Sequence, residues 1–350
     1  MPRATKFAIR NEDSVTPINR TVPAPRYIVA PAALRVSRAR LCVWAWRALT
    51  RLRRVREILR FLTRIPLFSE MLRSNPRFGF KFLTDDYLAR GFSTSEAASC
   101  YLHHYRRLHS LLPDHLLRQI LQEEVTLHAI PDGSDRFALT LGLSRPYDNE
   151  GELTLRLRVD GDIVYVLSFT IVPGEVVESK ASEAFLITRL QGVRGCFRQI
   201  SIATKALHEV APDRLLLAAL QGIAEAFGIR AIAAVPAHRQ TSYKDGAAPV
   251  FRDAYDNLFS GLGFSKSAAG FFSSDAPIDQ KPLTSIKRGH RPRAKKKRAF
   301  KHQIQMACAR FFENSAMDRE PELSNQQLTI PVAPGRQASG SPRHPTCHIP

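Results

Sequence analysis

The chain has no CxxC motif, no closely spaced cysteine pair, and no apolar run approaching the roughly 18 residues of a membrane-spanning helix. Its five cysteines, Cys42, Cys100, Cys196, Cys308 and Cys347, are scattered. That spacing argues against a zinc or dithiol site and points to the reduced thiols of a cytosolic protein. The early Lys and Arg have no apolar core behind them, so no secretory leader is expected. There is no G-x-x-x-x-G-K-[ST] stretch, which removes the P-loop route to nucleotides. No internal repeat is visible.

Acids are missing most conspicuously from two stretches. Residues 35–64 hold ten arginines against the single acid Glu57, and residues 287–301 hold nine Lys and Arg with none. Together they carry +18 of the formal net charge of +19, so the remaining chain is nearly neutral. The basicity is local. It suits an anionic partner: an anionic membrane surface, nucleic acid or an acidic protein.

What is present is enough for a sizeable core: 350 residues, 44% apolar. Residues 1–33 carry five prolines and no periodicity, which predicts a disordered arm. From position 34, Leu41, Ala45, Ala48, Leu52, Val55, Leu59 and Leu62 recur in steps of four and three. This predicts a basic amphipathic helix over 34–64, either lying on a membrane or docking its stripe on the domain with its arginines wet. Ser93 with Glu96 three residues on forms a capping box. The helix it opens carries Tyr101, His104, Tyr105 and Leu108, and a second follows Pro113, so 65–130 reads as helical.

From 136 the period becomes two. Phe137, Leu139, Leu141 and Leu143, then Leu153, Leu155, Leu157 and Val159, alternate with small or polar residues. Asp160-Gly161 makes a hairpin turn into Val164, Val166, Ser168, Thr170 and Val172. The stretch 185–264 then reads strand, glycine turn, helix, helix, strand, helix. Pro212 suits a first helical turn, and Gly228 suits a helix C-terminus. Such a unit favours a parallel or mixed sheet covered by helices. Phe271-Phe272 marks a last short strand. The run 287–301 is basic with little core character, so its removal should leave stability nearly unchanged. Residues 315–350 read as a disordered tail.

Several blocks resemble the bacterial VirK/YbjX family over roughly residues 65–302: Tyr87-Leu88, His104-Tyr105, Glu150-Gly151-Glu152-Leu153, Leu190-Gln191-Gly192, Ala203-Thr204-Lys205-Ala206-Leu207-His208, Ala254-Tyr255-Asp256 and Lys297-Arg298-Ala299. Where that family usually has a glycine and Arg-Pro-Lys after the Leu-His pair, this chain has Glu209-Val210-Ala211-Pro212-Asp213-Arg214. The resemblance implies an association with virulence and envelope stress and supplies no reaction. The element order also resembles the Gcn5-related acetyltransferases, with Phe259-Ser260-Gly261-Leu262-Gly263-Phe264 as the closing Gly-Phe element. Two features depart from that pattern. The glycines of Arg189-Leu190-Gln191-Gly192-Val193-Arg194-Gly195 stand one position too far apart with an additional helix after them, and Phe259 replaces the tyrosine acid. The expected fold class is α+β: an N-terminal helical part, then an acetyltransferase-like mixed β-sheet flanked by helices over 136–285, with disordered termini.

The candidate residues follow from these placements. Arg189, Gln191, Gly192, Arg194 and Gly195, with Lys205, form a candidate anion-binding turn; a plain strand-to-helix turn is the alternative. Glu152 and His208 are the candidate general bases. Arg53, Arg54, Arg60, Lys295, Lys296, Lys297 and Arg298 are the candidate contacts to a membrane or nucleic acid. His103, His104 and His109 do not share a helix face, so no metal is expected. Three functions stay open: an anion- or membrane-binding protein at the cytoplasmic face of the inner membrane, an acyltransferase using acyl-coenzyme A, and a nonspecific nucleic-acid binder.

Overall fold

A computed structural model of the chain describes residues 52–317, apart from 86, 131–136 and 145–148. The arm at 1–33, the first part of the basic helix and the tail beyond 317 lie outside the described residues. The first elements are helical: α1 (Leu52–Arg64), α2 (Pro66–Ser74), a 3-10 stretch (Pro76–Leu83), α3 (Thr94–Leu111) and α4 (Asp114–Arg118), which runs into a π turn (Gln119–Glu123). The capping box of α3 forms: the Ser93 hydroxyl accepts from the Glu96 N–H at 3.2 Å, and the Glu96 carboxylate accepts from the Ser93 N–H at 2.7 Å. In α1, Val55, Ile58 and Leu62 are buried, while Arg53, Arg54 and Arg60 stay exposed. The described part of the amphipathic helix therefore docks on the domain. Val55, Ile58 and Leu62 bury their area against α2 and α3, while Leu52 at the start of α1 stays exposed.

Five strands follow: β1 (Val125–Ile130), β2 (Phe137–Leu143), β3 (Leu153–Val159), β4 (Asp162–Pro173) and β5 (Glu183–Gly192). β1 corrects the helical reading of 65–130. Its alternating Val125, Leu127 and solvent-facing Thr126 pair antiparallel with β2, and six residues are too few for period two to stand out beside two helices. Next come α5 (Phe197–Ala206), α6 (Pro212–Phe227) and β6 (Ala231–Ala234). Pro212 opens α6, and Gly228 closes it in the left-handed region at φ 68°. The chain then forms α7 (Ala248–Phe251), a π turn (Arg252–Asn257), α8 (Leu258–Gly261), β7 (Ser265–Lys266), β8 (Phe272–Asp275) and α9 (Arg291–Met317).

Among the described residues, all strands join one sheet in the order β1-β2-β3-β4-β5-β6-β8-β7. Neighbours are antiparallel except β5 and β6, which pair in parallel from Phe185↔Ile232 to Ile187↔Ala234. The two strands expected to share a sheet do so, linked through α5 and α6. β3 is buried on both faces because helices cover both. Glu152, Thr154 and Arg156 point toward the α3 side. Leu153, Leu155 and Leu157 face the other way, where α6 packs.

The largest departure from the sequence expectation is α9. From Arg291 the basic run 287–301 is itself the start of a 27-residue helix. Phe300, Ile304, Cys308 and Phe312, spaced four apart, are buried along its length. α9 runs beside α6 in the same direction. Gly222 lets the backbones meet: a Cβ there would stand 2.1 Å from the Gln305 carbonyl oxygen. Phe227 and Phe312 then close the contact with ring centroids 4.9 Å apart. The second charge segment is thus one end of a core helix, not an appendage.

Candidate functional site

Glu152 is only 1% exposed. Its Oε2 accepts from the Tyr105 hydroxyl at 2.5 Å, and its Oε1 stands 3.2 Å from the Lys81 ammonium. Lys81 also donates to the Gly151 carbonyl at 2.8 Å, and the Glu152 N–H donates to Thr170 Oγ1. Gly151 holds this turn at φ 104°, where a side chain would press to 2.8 Å from Thr188 Oγ1. Burial first, then the Glu152 carboxylate, push the Tyr87, Tyr101 and Tyr105 phenols well above their ordinary range. From here a hydroxyl chain crosses the sheet: Ser168 to Thr154 at 2.9 Å and Thr154 to Ser144 at 2.7 Å. A general base needs hydrogen-bond reach to a substrate proton. Glu152 is instead buried against an internal lysine, with one oxygen bonded to a tyrosine and the other in ion-pair reach of Lys81 but without a hydrogen bond.

His208, the other candidate base, lies across the sheet. It is exposed at φ 54° and stacks edge-on against Phe300 of α9 with centroids 4.8 Å apart. The fold therefore does not bring Glu152 and His208 together. The three histidines of α3 also part company. His103 meets Glu183 at 3.2 Å, His109 lies against Phe68, and the His104 Nδ1 accepts from the buried Ile171 N–H at 3.0 Å.

Burial first, then the nearby Lys81 charge, hold His104 well below the ordinary histidine range. The unfolded chain titrates this group near pH 6.5. Below that pH the unfolded state binds a proton that the folded state refuses. The stability contribution is complete above about pH 6.5 and lost as pH falls, by up to about 1.4 kcal/mol per pH unit. Burial lowers His103 and His128 too, so they add to the same slope. His104→Asn, whose amide oxygen can accept the Ile171 N–H, should reduce the loss in urea midpoint between pH 7.5 and pH 5. An unchanged pH slope in that variant would remove His104 from the account.

The candidate anion turn divides. Arg189 reaches Glu150 at 3.5 Å, and the Glu150 carboxylate also accepts from Thr241 Oγ1 at 2.5 Å. The Gln191 amide oxygen, turned inward, accepts from Arg189 Nε and Nη2 at 2.9 Å. These residues stand where β5 runs on past Ile187 while β6 ends at Ala234 and the chain turns away through Gln240. Gly192 serves packing: a Cβ there would press to 2.9 Å from Ile200 Cδ1. Gly195 turns the chain at φ 88°. Arg194 and Lys205 are exposed beyond that turn, and Thr204 bonds back to the Ile200 carbonyl. Phe259 is a core ring against Phe264 and Phe272.

Beside Arg194 lies a feature with no sequence signal. Phe197 opens α5 79% exposed, and Arg194 three residues before it and Arg198 directly after it are exposed too. The far end of α5 meets the basic half of α9, where Glu209 pairs with Arg293 and sits 3.8 Å from Lys297. Lys295 and Lys296 are exposed there, while Lys297 and Arg298 are half-buried. On α1, Arg53, Arg54 and Arg60 rim a shallow depression with Arg64 and Arg106. Glu57 sits among them, 3.1 Å from Arg54 and 3.2 Å from Arg106.

A family model described as "Protein of unknown function (DUF535)" matches residues 35–310. No curated protein and no solved structure matches the chain. The match reaches further at both ends than the blocks that resemble VirK/YbjX, and it takes in α1 and most of α9.

Proposed function

The chain belongs to the DUF535 family, which includes VirK and YbjX, and we propose that it acts as a peripheral binding protein for an anionic membrane surface. The observation that carries this reading is Phe197, a phenyl ring in water with the exposed Arg194 and Arg198 close to it in sequence. An aromatic side chain beside cations suits the membrane interface, where the ring enters the headgroup boundary and the charges meet phosphate. The adjoining end of α9 adds Lys295 and Lys296. Among the described residues no helix is long and apolar enough to cross a membrane, so the contact proposed is superficial. The setting is the cytoplasmic face of the inner membrane, under the envelope stress that the resemblance to VirK/YbjX implies.

Burying a phenyl side chain is worth about 1.5–3 kcal/mol, and tenfold in affinity is about 1.4 kcal/mol. Phe197→Ser should therefore weaken binding to phosphatidylglycerol vesicles by roughly tenfold or more. Lys295→Gln with Lys296→Gln should weaken it at low salt and less at high salt, because exposed charges are screened. Val55, Ile58 and Leu62 of α1, buried against the domain, add nothing. Cosedimentation with anionic and neutral vesicles checks this. Binding unaffected by Phe197→Ser, or tighter binding to duplex RNA or DNA than to vesicles, would sink the membrane reading.

A second reading is acyl transfer. It draws on the end of the parallel pair, where β5 runs on past Ile187 while β6 ends at Ala234 and Glu150, Arg189 and Thr241 stand together. A melting temperature raised by an acyl-coenzyme A but not by its free acid would favour this reading.

A further inference from the structure

Beside the crossing at Gly222, α6 and α9 together with residues 261–263 and 278–281 line a cleft of about 290 Å3. Arg214 reaches it from α6, and Arg298 and Lys301 reach it from α9. Leu217 and Ala218 of α6 with Leu262 and Ile278 supply an apolar wall. We propose that this cleft is a binding site for a phosphate monoester, held by Arg214, Arg298 and Lys301 with its organic part against that wall. The inference does not rest on the membrane reading, whose key residues, Phe197, Lys295 and Lys296, lie outside the cleft.

Partner bookkeeping supports it. Arg214 leans on its neighbour Asp213 at 3.5 Å, and Arg298 donates to the Lys281 carbonyl. Lys301 is half-buried and has neither an ion-pair nor a hydrogen-bond partner among the described residues. Burial, then the charges of Arg214 and Arg298, hold its ammonium below the ordinary lysine range. A cation desolvated beside two guanidiniums is unfavourable without an anion. Asp279 also lines the cleft, as does the positively charged Lys281, so the lining still carries a cationic excess. Two planar guanidiniums and one point-charge ammonium suit the several oxygens of a terminal phosphate. The volume is near the lower bound for small-molecule sites, which restricts the organic part to a small body.

Thermal unfolding of the full chain at constant ionic strength tests the site. Glycerol 3-phosphate, added against sodium chloride, should raise the melting temperature by several degrees, because a ligand that prefers the folded state stabilises it. In Lys301→Gln the affinity should fall at least tenfold. Without ligand, its melting temperature should equal or exceed that of the unchanged chain, because an unpaired charge is removed. Arg214→Gln should weaken binding too, and it serves as the second variant if Lys301→Gln folds poorly. Lys296→Gln should bind the phosphate monoester normally. Lys301-dependent binding to phosphatidic acid vesicles without a response to glycerol 3-phosphate would identify a lipid headgroup as the source and support the site. Three results would overturn it: no response to either ligand, an equal response in Lys301→Gln and Arg214→Gln, or a ligand-free Lys301→Gln that melts lower than the unchanged chain while keeping its response.

Discussion

Lys81→Ala should destabilise the fold by about 3–5 kcal/mol, because it strands the Glu152 carboxylate inside the protein. Glu152 is 1% exposed, and its ion-pair partner is the Lys81 ammonium at 3.2 Å. The Tyr105 hydrogen bond at 2.5 Å remains, but one phenol cannot offset a desolvated charge. The loss is specific to the charge. On a Glu152→Gln background the amide can still accept from Tyr105, so Lys81→Met should then cost far less than in the unchanged chain. Urea unfolding of the two singles and the double variant gives the coupling directly, and contacting residues of this kind couple by about 0.5–3 kcal/mol. Additive losses would mean that the pair does not act as a unit.

Phe300→Ala and Phe312→Ala should each cost about 3–5 kcal/mol, the usual loss for a truncated core phenylalanine. In a domain of this size that is roughly 10 °C of melting temperature each. Both rings are buried, Phe300 under His208 and Phe312 against Phe227. Removing residues 287–301 should be worse still, because it takes away the first turns of α9 together with Phe300. This reverses the expectation drawn from composition, that the basic run can be lost without effect on stability. Replacing Lys295 and Lys296 by glutamine, which touches only exposed side chains, should leave the melting temperature within a few degrees. Calorimetry on the four variants separates charge from core. A deletion of 287–301 that melts like the unchanged chain would show that α9 does not support the sheet.

The sequence carried the local decisions. The α3 capping box, the Asp160-Gly161 hairpin, Pro212 opening α6 and Gly228 closing it all depend on neighbours within a few residues, and all are present. The alternation in β2, β3 and β4 was legible for the same reason, since each strand repeats its own period. The parallel pairing of β5 with β6 followed from two apolar runs with helices between them. α9 was half legible: Phe300, Ile304, Cys308 and Phe312 recur every four residues, but the charge run before them drew the reading toward a basic segment with little core character.

The placement of the chemistry was decided only in three dimensions. Glu152 meets Lys81, which lies 71 positions earlier in a stretch without periodicity, and no local pattern marks that pair. Gly192 reads as a place for a ligand to approach, yet it is small because Ile200 packs against it. Arg189 reads as an anion clamp, yet Glu150 already lies beside it. Lys301 is one of nine cations in its run, and it differs only because α6 brings Arg214 beside it. Periodicity and caps are written along the chain, so they are read along it. Burial and charge pairing depend on residues far apart in sequence, and the sheet with its two helical layers is what brings those residues together.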